Sequence, residues 1–235
     1  MMKSLIALFF MLTSAISVIA QKSFSIKLYQ NSDFFDSEIN DWDTRTTTTV
    51  HNANFNRFSV AVSLTSKKRF THELEIFIPE FSKSLGDLQY PMDYSISKGS
   101  SIEGKAGSWS LRYELSKVLT KANKGLQFSA GAGINPYLVR IEYFSNNPQT
   151  YYSSSDLYGA AITIVPRVSY KLFPAFSLEL SMPFKVYDLR VNQRRIDNPA
   201  IPIAQQETKS YNSIFFESVY TIRLGLSYTF GIHKN

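Results

Sequence analysis

The 235-residue sequence contains no cysteine, and its 25 lysines and arginines against 19 acidic residues give a formal net charge of +6. The lack of cysteine excludes two secreted classes, those held together by disulfides and those anchored as lipoproteins. The basic residues are spread along the chain without a basic block or a basic-aromatic motif, which argues against nucleic-acid binding.

The first 20 residues have the pattern of a secretory signal peptide. Lys3 gives a charged start, an apolar run follows, and Val18 and Ala20 are suited to the small-residue positions before a cleavage site. We therefore predict a signal peptide over residues 1–20 and a single mature domain over residues 21–235. The mature chain has no apolar run of about 18 residues, so we predict no membrane-spanning helix.

The mature chain is predicted to form eight β-strands in which apolar and polar residues alternate. A period of two residues places every second side chain on the same face of a strand. In chain order the strands cover residues 23–31, 58–65, 70–78, 108–118, 125–144, 157–172, 175–191 and 219–230.

The fifth of these strands changes phase along its length. Up to Ile134 its apolar residues are even-numbered, whereas after Pro136 they are the odd-numbered Val139, Ile141 and Tyr143. A β-bulge would explain both the shift and a proline inside a strand. We therefore predict a bulge at Asn135-Pro136, with Val139 and Ile141 on the apolar outer face.

The last predicted strand shows the alternation most clearly. One face is apolar and consists of Tyr220, Ile222, Leu224, Leu226, Tyr228 and Phe230. The other face consists of Thr221, Arg223, Gly225, Ser227 and Thr229. The alternation covers roughly the 9–11 residues that a tilted strand needs to cross a bilayer.

The connections between strands alternate in length. Long loops are predicted at residues 32–56, 79–107, 145–156 and 192–216, and tight turns at residues 66–69, 120–124 and 173–174. In an up-and-down barrel all tight turns then lie at one end, as the periplasmic turns of outer-membrane barrels do. A soluble lipocalin-like barrel has the same period with its apolar face inward. The signal peptide, the loop asymmetry and the charged second face favour the membrane barrel.

The polar face would fill the lumen of this barrel. It has six cationic and four acidic residues, which are Lys27, Arg112, Arg167, Lys171, Lys185, Arg223, Glu73, Glu75, Glu114 and Glu179. An eight-stranded barrel is just wide enough for its own side chains, and unpaired buried charge is unfavourable. We predict that these charges pair into a structural network that plugs the lumen, and a selective pore or proton path is the alternative.

The sequence indicates no catalytic, cofactor or metal site. It has no cysteine-histidine metal spacing, nucleophile elbow or glycine-rich phosphate loop. The three histidines are His51, His72 and His233. His72 is predicted at the membrane interface near a tight turn, without the serine-histidine pair of a lipid-modifying barrel enzyme.

Two of the predicted loops carry opposite charges. The first loop has the acidic residues Asp33, Asp36, Glu38, Asp41 and Asp43, whose spacing does not match a calcium-binding loop, so we predict a solvated surface loop. Arg190, Arg194 and Arg195 lie in or beside the last loop. One hypothesis is that the two loops pack together as a lid, and another is that the arginines bind lipopolysaccharide phosphates.

Three segments resemble the outer-membrane β-barrel proteins of Bacteroidota-type bacteria, with a small eight-stranded architecture of the OmpA and OmpX type. They are V-I-A-Q at the signal junction, S-A-G-A-G-I-N-P-Y in the fifth strand and L-G-L-S-Y-T-F near the end. These motifs are generic to the class and imply no functional residue. Such barrels commonly end on the aromatic that the barrel-assembly machinery reads, whereas residues 231–235 follow Phe230 here.

We therefore predict an all-β fold, an eight-stranded antiparallel up-and-down transmembrane β-barrel in the outer membrane with both termini in the periplasm. Its predicted role is non-enzymatic, either structural or the binding of a partner through the long outer loops, without a cofactor. The predicted partners are outer-membrane lipid or lipopolysaccharide, the barrel-assembly machinery and an envelope component, but no nucleic acid. The alternatives are a small channel or transporter, a lipid-modifying barrel enzyme and a soluble lipocalin-like carrier.

Overall fold

The computed structural model describes residues 21–41, 46–66, 68–77, 80–84, 103–120, 125–144, 151–216 and 220–231. The predicted signal peptide lies outside these ranges. The strands are β1 (Gln21–Asp41), β2 (Thr46–Ser66), β3 (Phe70–Phe77), β4 (Glu80–Ser84), β5 (Glu103–Val118), β6 (Leu126–Phe144), β7 (Ser153–Lys171), β8 (Phe176–Ser181), β9 (Phe184–Ile196), β10 (Glu207–Phe215) and β11 (Tyr220–Gly231). A 3-10 helix, Ile203–Gln205, precedes β10. Among the described residues, no helix has the length and apolar character needed to span a membrane.

These strands form one antiparallel sheet that closes on itself where β1 pairs with β11. At three of the eight positions around the barrel wall, the strand is divided into two successive segments. β3 and β4 both pair with β5, and β8 and β9 both pair with β7. β10 and β11 both pair with β9, through Phe215 with Tyr187 and Tyr220 with Phe184. The result is a closed eight-stranded antiparallel barrel, which confirms the predicted fold class.

The predicted long loops are wrong over much of their length, because strands continue into them. β1 and β2 extend to Asp41 and from Thr46, and β4 with the start of β5 lies within residues 79–107. β7 already begins at Ser153, and β10 occupies a large part of residues 192–216. These segments are mostly polar, and nearly every residue of β10 is exposed. They therefore lack the alternation of apolar and polar residues that indicates a strand, although their backbone groups form hydrogen bonds with the neighbouring strand.

The barrel has two distinct ends. The short-turn end carries Gln21, Gly231 and the connections β2–β3, β5–β6 and β7–β8, and the long-loop end carries the connections β1–β2, β4–β5, β6–β7 and β9–β10. Between them the outward side chains are exposed and apolar, for example Leu28, Ile76, Ile134, Ile164, Leu178 and Leu224. Most of the inward side chains are charged, hydroxylated or small, and most of them are buried.

The predicted bulge at Asn135-Pro136 is wrong. β6 keeps one continuous register with β5 on one side and with β7 on the other. Even-numbered residues therefore stay outside throughout, so Val139 and Ile141 are buried inside the barrel and Arg140 is exposed outside. The apparent phase shift reflects a change in the surroundings of the strand rather than a change of register.

The strand register shows where the apolar outer surface ends. One row of neighbouring outward residues consists of Trp109, Leu138, Tyr158, Val191 and Tyr211. The next row toward the long-loop end consists of Gly107, Arg140, Asp156, Gln193 and Lys209. Arg140 donates two hydrogen bonds to Asp156, at 2.7 and 2.8 Å, which raise the pKa of its guanidinium. An aromatic and apolar row followed by a charged one is the boundary expected at a membrane interface.

The short-turn end has its own group of outward aromatic residues, which are Phe70, Tyr170, Phe173, Phe176, Tyr228 and Phe230. Phe176 and Tyr228 contact edge to face with ring centroids 4.9 Å apart. The aliphatic belt is thus flanked by aromatic residues at both ends, as in membrane barrels. Beyond the long-loop boundary the exterior is polar, so the strand can bury Val139 and Ile141 on its inner side as a water-soluble sheet does.

A register shift does occur elsewhere, in β9. Ile162 pairs with Tyr187 and Thr163 with Lys185, so β9 has one extra residue between them. The same barrel strand is interrupted at residues 182–183, where Pro183 cannot donate a ladder hydrogen bond. Because of the extra residue in β9, the inward positions change from odd-numbered to even-numbered residues, and Asp188 therefore faces the lumen.

Candidate functional site

Most of the predicted lumen residues meet in one network of ion pairs, which we call the charge ring. Its members are Lys27, Glu73, Glu75, Arg112, Glu114, Arg167, Glu179 and Arg223. They project from β1, β3, β5, β7, β8 and β11, so most of the pairs cross the lumen. Four cations face four carboxylates, and the ring is formally neutral.

Arg167 links three carboxylates of the charge ring. Its Nη1 lies 2.7 Å from Glu73 and 3.3 Å from Glu179, and its Nη2 lies 2.7 Å from Glu114. A planar guanidinium with five donors can satisfy several carboxylates at fixed angles, which an ammonium group cannot. Arg167 therefore connects β7 to β3, β5 and β8 across the barrel.

Arg223 is fully buried and has a similar role on β11. Its Nη2 lies 3.0 Å from Glu114, its Nη1 contacts Glu75, and its Nε donates to Ser181 at 2.7 Å. Ser59 on β2 donates to Glu75, whose other oxygen lies 3.1 Å from Arg112. The carboxylates are thus shared among several donors, which offsets the loss of their hydration.

The lysine of the ring completes it on β1. Lys27 Nζ lies 2.7 Å from Glu73 and 2.9 Å from Glu179. Tyr29, on the same inward face, donates to Glu179 at 2.8 Å and lies 3.2 Å from Glu73. Tyr29 has the same parity as Lys27, so alternation predicts that it faces inward, but its contacts with the ring depend on the register of distant strands.

Two aromatic rings in the lumen lie directly over glycines on the neighbouring strand. Tyr29 pairs with Gly225, and a Cβ at Gly225 would collide with the Tyr29 ring. The Arg223 guanidinium lies 4.3 Å from the centroid of the same ring. Tyr137 likewise pairs with Gly159 and covers it. Each glycine leaves the space into which a large aromatic side chain folds.

Two further lysines predicted for the network occupy different positions. Lys171 is exposed near the short-turn end. Lys185 is partly buried in β9, farther toward the long-loop end than Ser181, which contacts Arg223. Lys185 pairs in register with Thr163, which is buried in the lumen.

Two smaller polar clusters lie on the long-loop side of the charge ring. In the first, Asp188 accepts hydrogen bonds from Tyr137 at 2.9 Å and from Arg190 at 2.9 Å. In the second, Asp33 lies 2.9 Å from Arg57 and accepts a hydrogen bond from Thr221 at 2.6 Å.

These clusters correct two loop assignments. Asp33 and Arg190 were predicted in or beside solvated loops, but both are buried inside β1 and β9. Within the described ranges no group of acidic, histidine or cysteine side chains has the arrangement of a metal site. Asp43 lies outside the described residues.

The lumen differs on the two sides of the charge ring. On the long-loop side Val139, Ile141 and Leu157 are buried. Four buried polar atoms on the same side have no hydrogen-bond partner among the described residues, namely Asn31 Oδ1, Ser110 Oγ, Asn135 Oδ1 and Thr163 Oγ1. On the short-turn side lies a cavity of about 430 Å³ that reaches Lys27, Arg167 and Glu179 of the ring. The ring therefore separates two parts of the lumen with different linings.

His72 has a simple structural partner. Its Nδ1 lies 2.8 Å from the Tyr113 hydroxyl, and the two rings are 6.3 Å apart. No serine hydroxyl or carboxylate bonds to His72 in the part of the chain that the structure describes. His233 lies outside the described residues.

No family model and no curated protein matches the sequence. Two solved structures have a similar fold. The outer membrane protein OprG from Pseudomonas aeruginosa has a TM-score of 0.55 and 14% identity, over 90% of this chain and 98% of that one. The outer membrane protein AlkL, determined in lipid bilayers, has a TM-score of 0.52 and 11% identity, over 92% of this chain and 94% of that one. At these identities the likeness concerns the fold alone, which is that of an eight-stranded outer-membrane β-barrel.

Proposed function

We propose that this protein is a non-enzymatic integral β-barrel of the outer membrane whose lumen is closed by the charge ring. The observation that carries this proposal is the inside-out distribution of side chains. Outward residues such as Leu28, Ile164 and Leu224 are each more than half exposed, whereas Glu75 and Arg223 are completely buried. A bilayer stabilises such an exterior, while water does not. A lipocalin-like carrier would need the opposite arrangement.

The orientation follows from the two ends of the barrel. The short-turn end, with both termini, faces the periplasm in this proposal, and the long-loop end faces outward. A signal peptide over residues 1–20 and insertion by the barrel-assembly machinery belong to the same proposal. The Bacteroidota-type resemblance stays a prediction from the sequence motifs.

The long-loop end is the part that we propose to bind a partner in the envelope or outside the cell. Protruding strands, rather than loops alone, form this end. Ile203, in the 3-10 helix before β10, lies beyond the boundary row and is 85% exposed. A large apolar side chain exposed outside the apolar belt is typical of an interaction surface.

Membrane fractionation followed by a gel-mobility comparison of unboiled and boiled protein tests this function. We expect the protein in the outer-membrane fraction and a mobility shift on boiling, because the closed barrel resists detergent until heated. A protein in the soluble periplasmic fraction without a shift would contradict the proposal.

A small channel is the second candidate, because the cavity of about 430 Å³ already opens one side of the lumen. The two functions differ in conductance. In planar bilayers we expect no steady current from the proposed plugged barrel, since the charge ring fills the section of the lumen. A steady current from the unmodified protein would favour the channel.

A further part of the proposal concerns lipopolysaccharide. Arg194 and Arg195 are exposed on β9, and Arg195 lies 3.0 Å from Asp197. Arginine binds phosphate through paired hydrogen bonds. We expect the double substitution Arg194→Gln and Arg195→Gln to weaken lipopolysaccharide binding, with Lys117→Gln at the opposite end as the control. Unchanged binding in the double variant would remove these arginines from the proposal.

A further inference from the structure

The cavity at the short-turn end has an unusual lining. More than half of the residues around its volume of about 430 Å³ are serines and threonines, and they come from all eight barrel positions. Some of these hydroxyls bond to each other, as Ser25 does to Thr229 at 2.8 Å and Thr65 to Thr71 at 3.0 Å. A hydroxyl group both donates and accepts, so this wall can exchange hydrogen bonds with a hydroxylated molecule.

The charges around the cavity favour an anion. Lys27, Arg69, Arg167 and Lys171 line it, and among the described lining residues Glu179 is the only carboxylate. Glu179 is already engaged by Lys27 at 2.9 Å and by Tyr29 at 2.8 Å. Arg69 and Lys171 are exposed toward the mouth. The cavity thus combines a neutral ring at its inner end with excess positive charge at its opening.

A buried guanidinium closes the inner end of the cavity. The Arg167 side chain is only 4% exposed and lines the cavity. Its two terminal nitrogens bind Glu73 and Glu114, and its Nε has almost no accessible surface. The ligand is therefore expected to contact the exposed cations at the mouth and the hydroxyl wall, while Arg167 contributes positive charge at the inner end.

We propose that this cavity is a binding site for a small hydroxylated anion of the sugar-phosphate class. Phosphate oxygens accept strong hydrogen bonds from arginine and lysine, and the sugar hydroxyls match the serine and threonine wall. The volume lies within the roughly 300–1,000 Å³ of small-molecule sites. The site itself rests on the cavity, whereas its access from the periplasm rests on the proposed orientation.

The test uses the full chain in lipid nanodiscs, after its barrel has been verified by the heat-dependent mobility shift. Titrations with glucose 6-phosphate, inorganic phosphate and glucose are followed by calorimetry or by NMR of the cavity residues. We expect saturable binding of glucose 6-phosphate, weaker binding of phosphate and the weakest binding of glucose. The double variant Arg69→Gln and Lys171→Gln is expected to lose about tenfold or more in affinity, as two charge-assisted contacts are removed.

The matched control is Lys117→Gln, which removes one positive charge at the same end of the barrel. Lys117 is exposed on the outer face, where its Nζ lies 5.4 Å from the centroid of the Phe70 ring, and it does not line the cavity. This variant should bind like the unmodified protein. An equal loss in Lys117→Gln, or equal affinities for inorganic phosphate and glucose 6-phosphate, would overturn the proposed ligand class. An intact barrel without saturable binding would overturn the site alone, whereas the absence of a mobility shift would contradict the proposed function.

Discussion

At the scale of single residues, Arg223 shows how the lumen is held together. Its guanidinium is completely buried and contacts Glu75 and Glu114, and it also lies over the ring of Tyr29. Removing one member of a buried ion-pair network leaves its partners charged and without compensation. Such a loss destabilises a protein far more than the network as a whole stabilises it.

Arg223→Met tests this directly. We expect it to lower the free energy of unfolding by about 3–5 kcal/mol, because two buried carboxylates lose a shared donor. The measurement is urea unfolding of the barrel in lipid vesicles. Arg140→Met is the control, since Arg140 pairs with Asp156 on the exposed outer surface and should cost less than about 1 kcal/mol. Equal losses in the two variants would contradict the role given to the charge ring.

Gly225→Ala tests the contact beneath Tyr29. A Cβ at Gly225 would meet the Tyr29 ring, so the tyrosine must leave its place beside Glu179 and Arg223. We expect a loss of about 1–3 kcal/mol, typical of overpacking. In Tyr29→Leu the same glycine substitution should lower the free energy of unfolding much less, and unfolding of the unmodified protein and the three variants gives the coupling between the two sites. Additive losses would show that the two residues do not interact.

Alternation in the sequence predicts which side chains face the lumen, but it does not predict their height or their partners. Lys27, Glu73 and Arg223 were assigned inward from parity alone. Lys171 has the same parity, yet it is exposed near the short-turn end, because parity does not determine the height of a residue in the barrel. The Tyr29–Gly225 contact joins residues far apart in the chain, and a single sequence contains no signal for that register.

At the scale of elements, β6 shows how one strand can serve two environments. Its outer face is apolar as far as Leu138 and charged at Arg140, while its inner face changes from glycine to Val139 and Ile141. The alternation therefore inverts without any change in register. A sequence pattern alone cannot distinguish this inversion from a bulge, because both move the apolar residues from even to odd positions.

Arginine substitutions along the outer face of β6 test where the membrane ends. Ile134→Arg is expected to lower the free energy of unfolding by about 2–4 kcal/mol, the value for a charge near the bilayer midplane. Leu138→Arg is expected to lower it by about 0–1 kcal/mol, the value near the interface. Unfolding in lipid vesicles measures both. The two substitutions are matched, since they introduce the same side chain on the same face of the same strand. Equal losses of unfolding free energy at the two positions would place the membrane boundary beyond Leu138 and contradict the assignment of the row containing Leu138 to the membrane interface.

At the scale of the whole molecule, the eight-stranded barrel followed from strand number and loop asymmetry, both of which are properties of the entire chain. The extension of β1, β2, β7 and β9 beyond the membrane could not be predicted in the same way. The sequences of these extensions are mostly polar and lack the alternation of apolar and polar residues, so their pairing is not visible in the sequence. What the sequence suggested as loops is therefore in part a raised barrel wall.

The charge ring fills the section of the lumen between the two ends of the barrel, so its removal should turn the plugged barrel into a pore. In Arg167→Ser combined with Arg223→Ser, the carboxylates of Glu73 and Glu114 remain while their shared donors are absent. We expect a steady current in planar bilayers with a preference for cations, because the fixed charge of the constriction becomes negative. In Glu73→Ser combined with Glu114→Ser the excess charge is positive, and the preference should reverse to anions. Reversal potentials in a salt gradient measure the sign, and the heat-dependent mobility shift verifies that each variant is folded. Identical selectivity in the two folded variants would show that the current does not pass the charge ring.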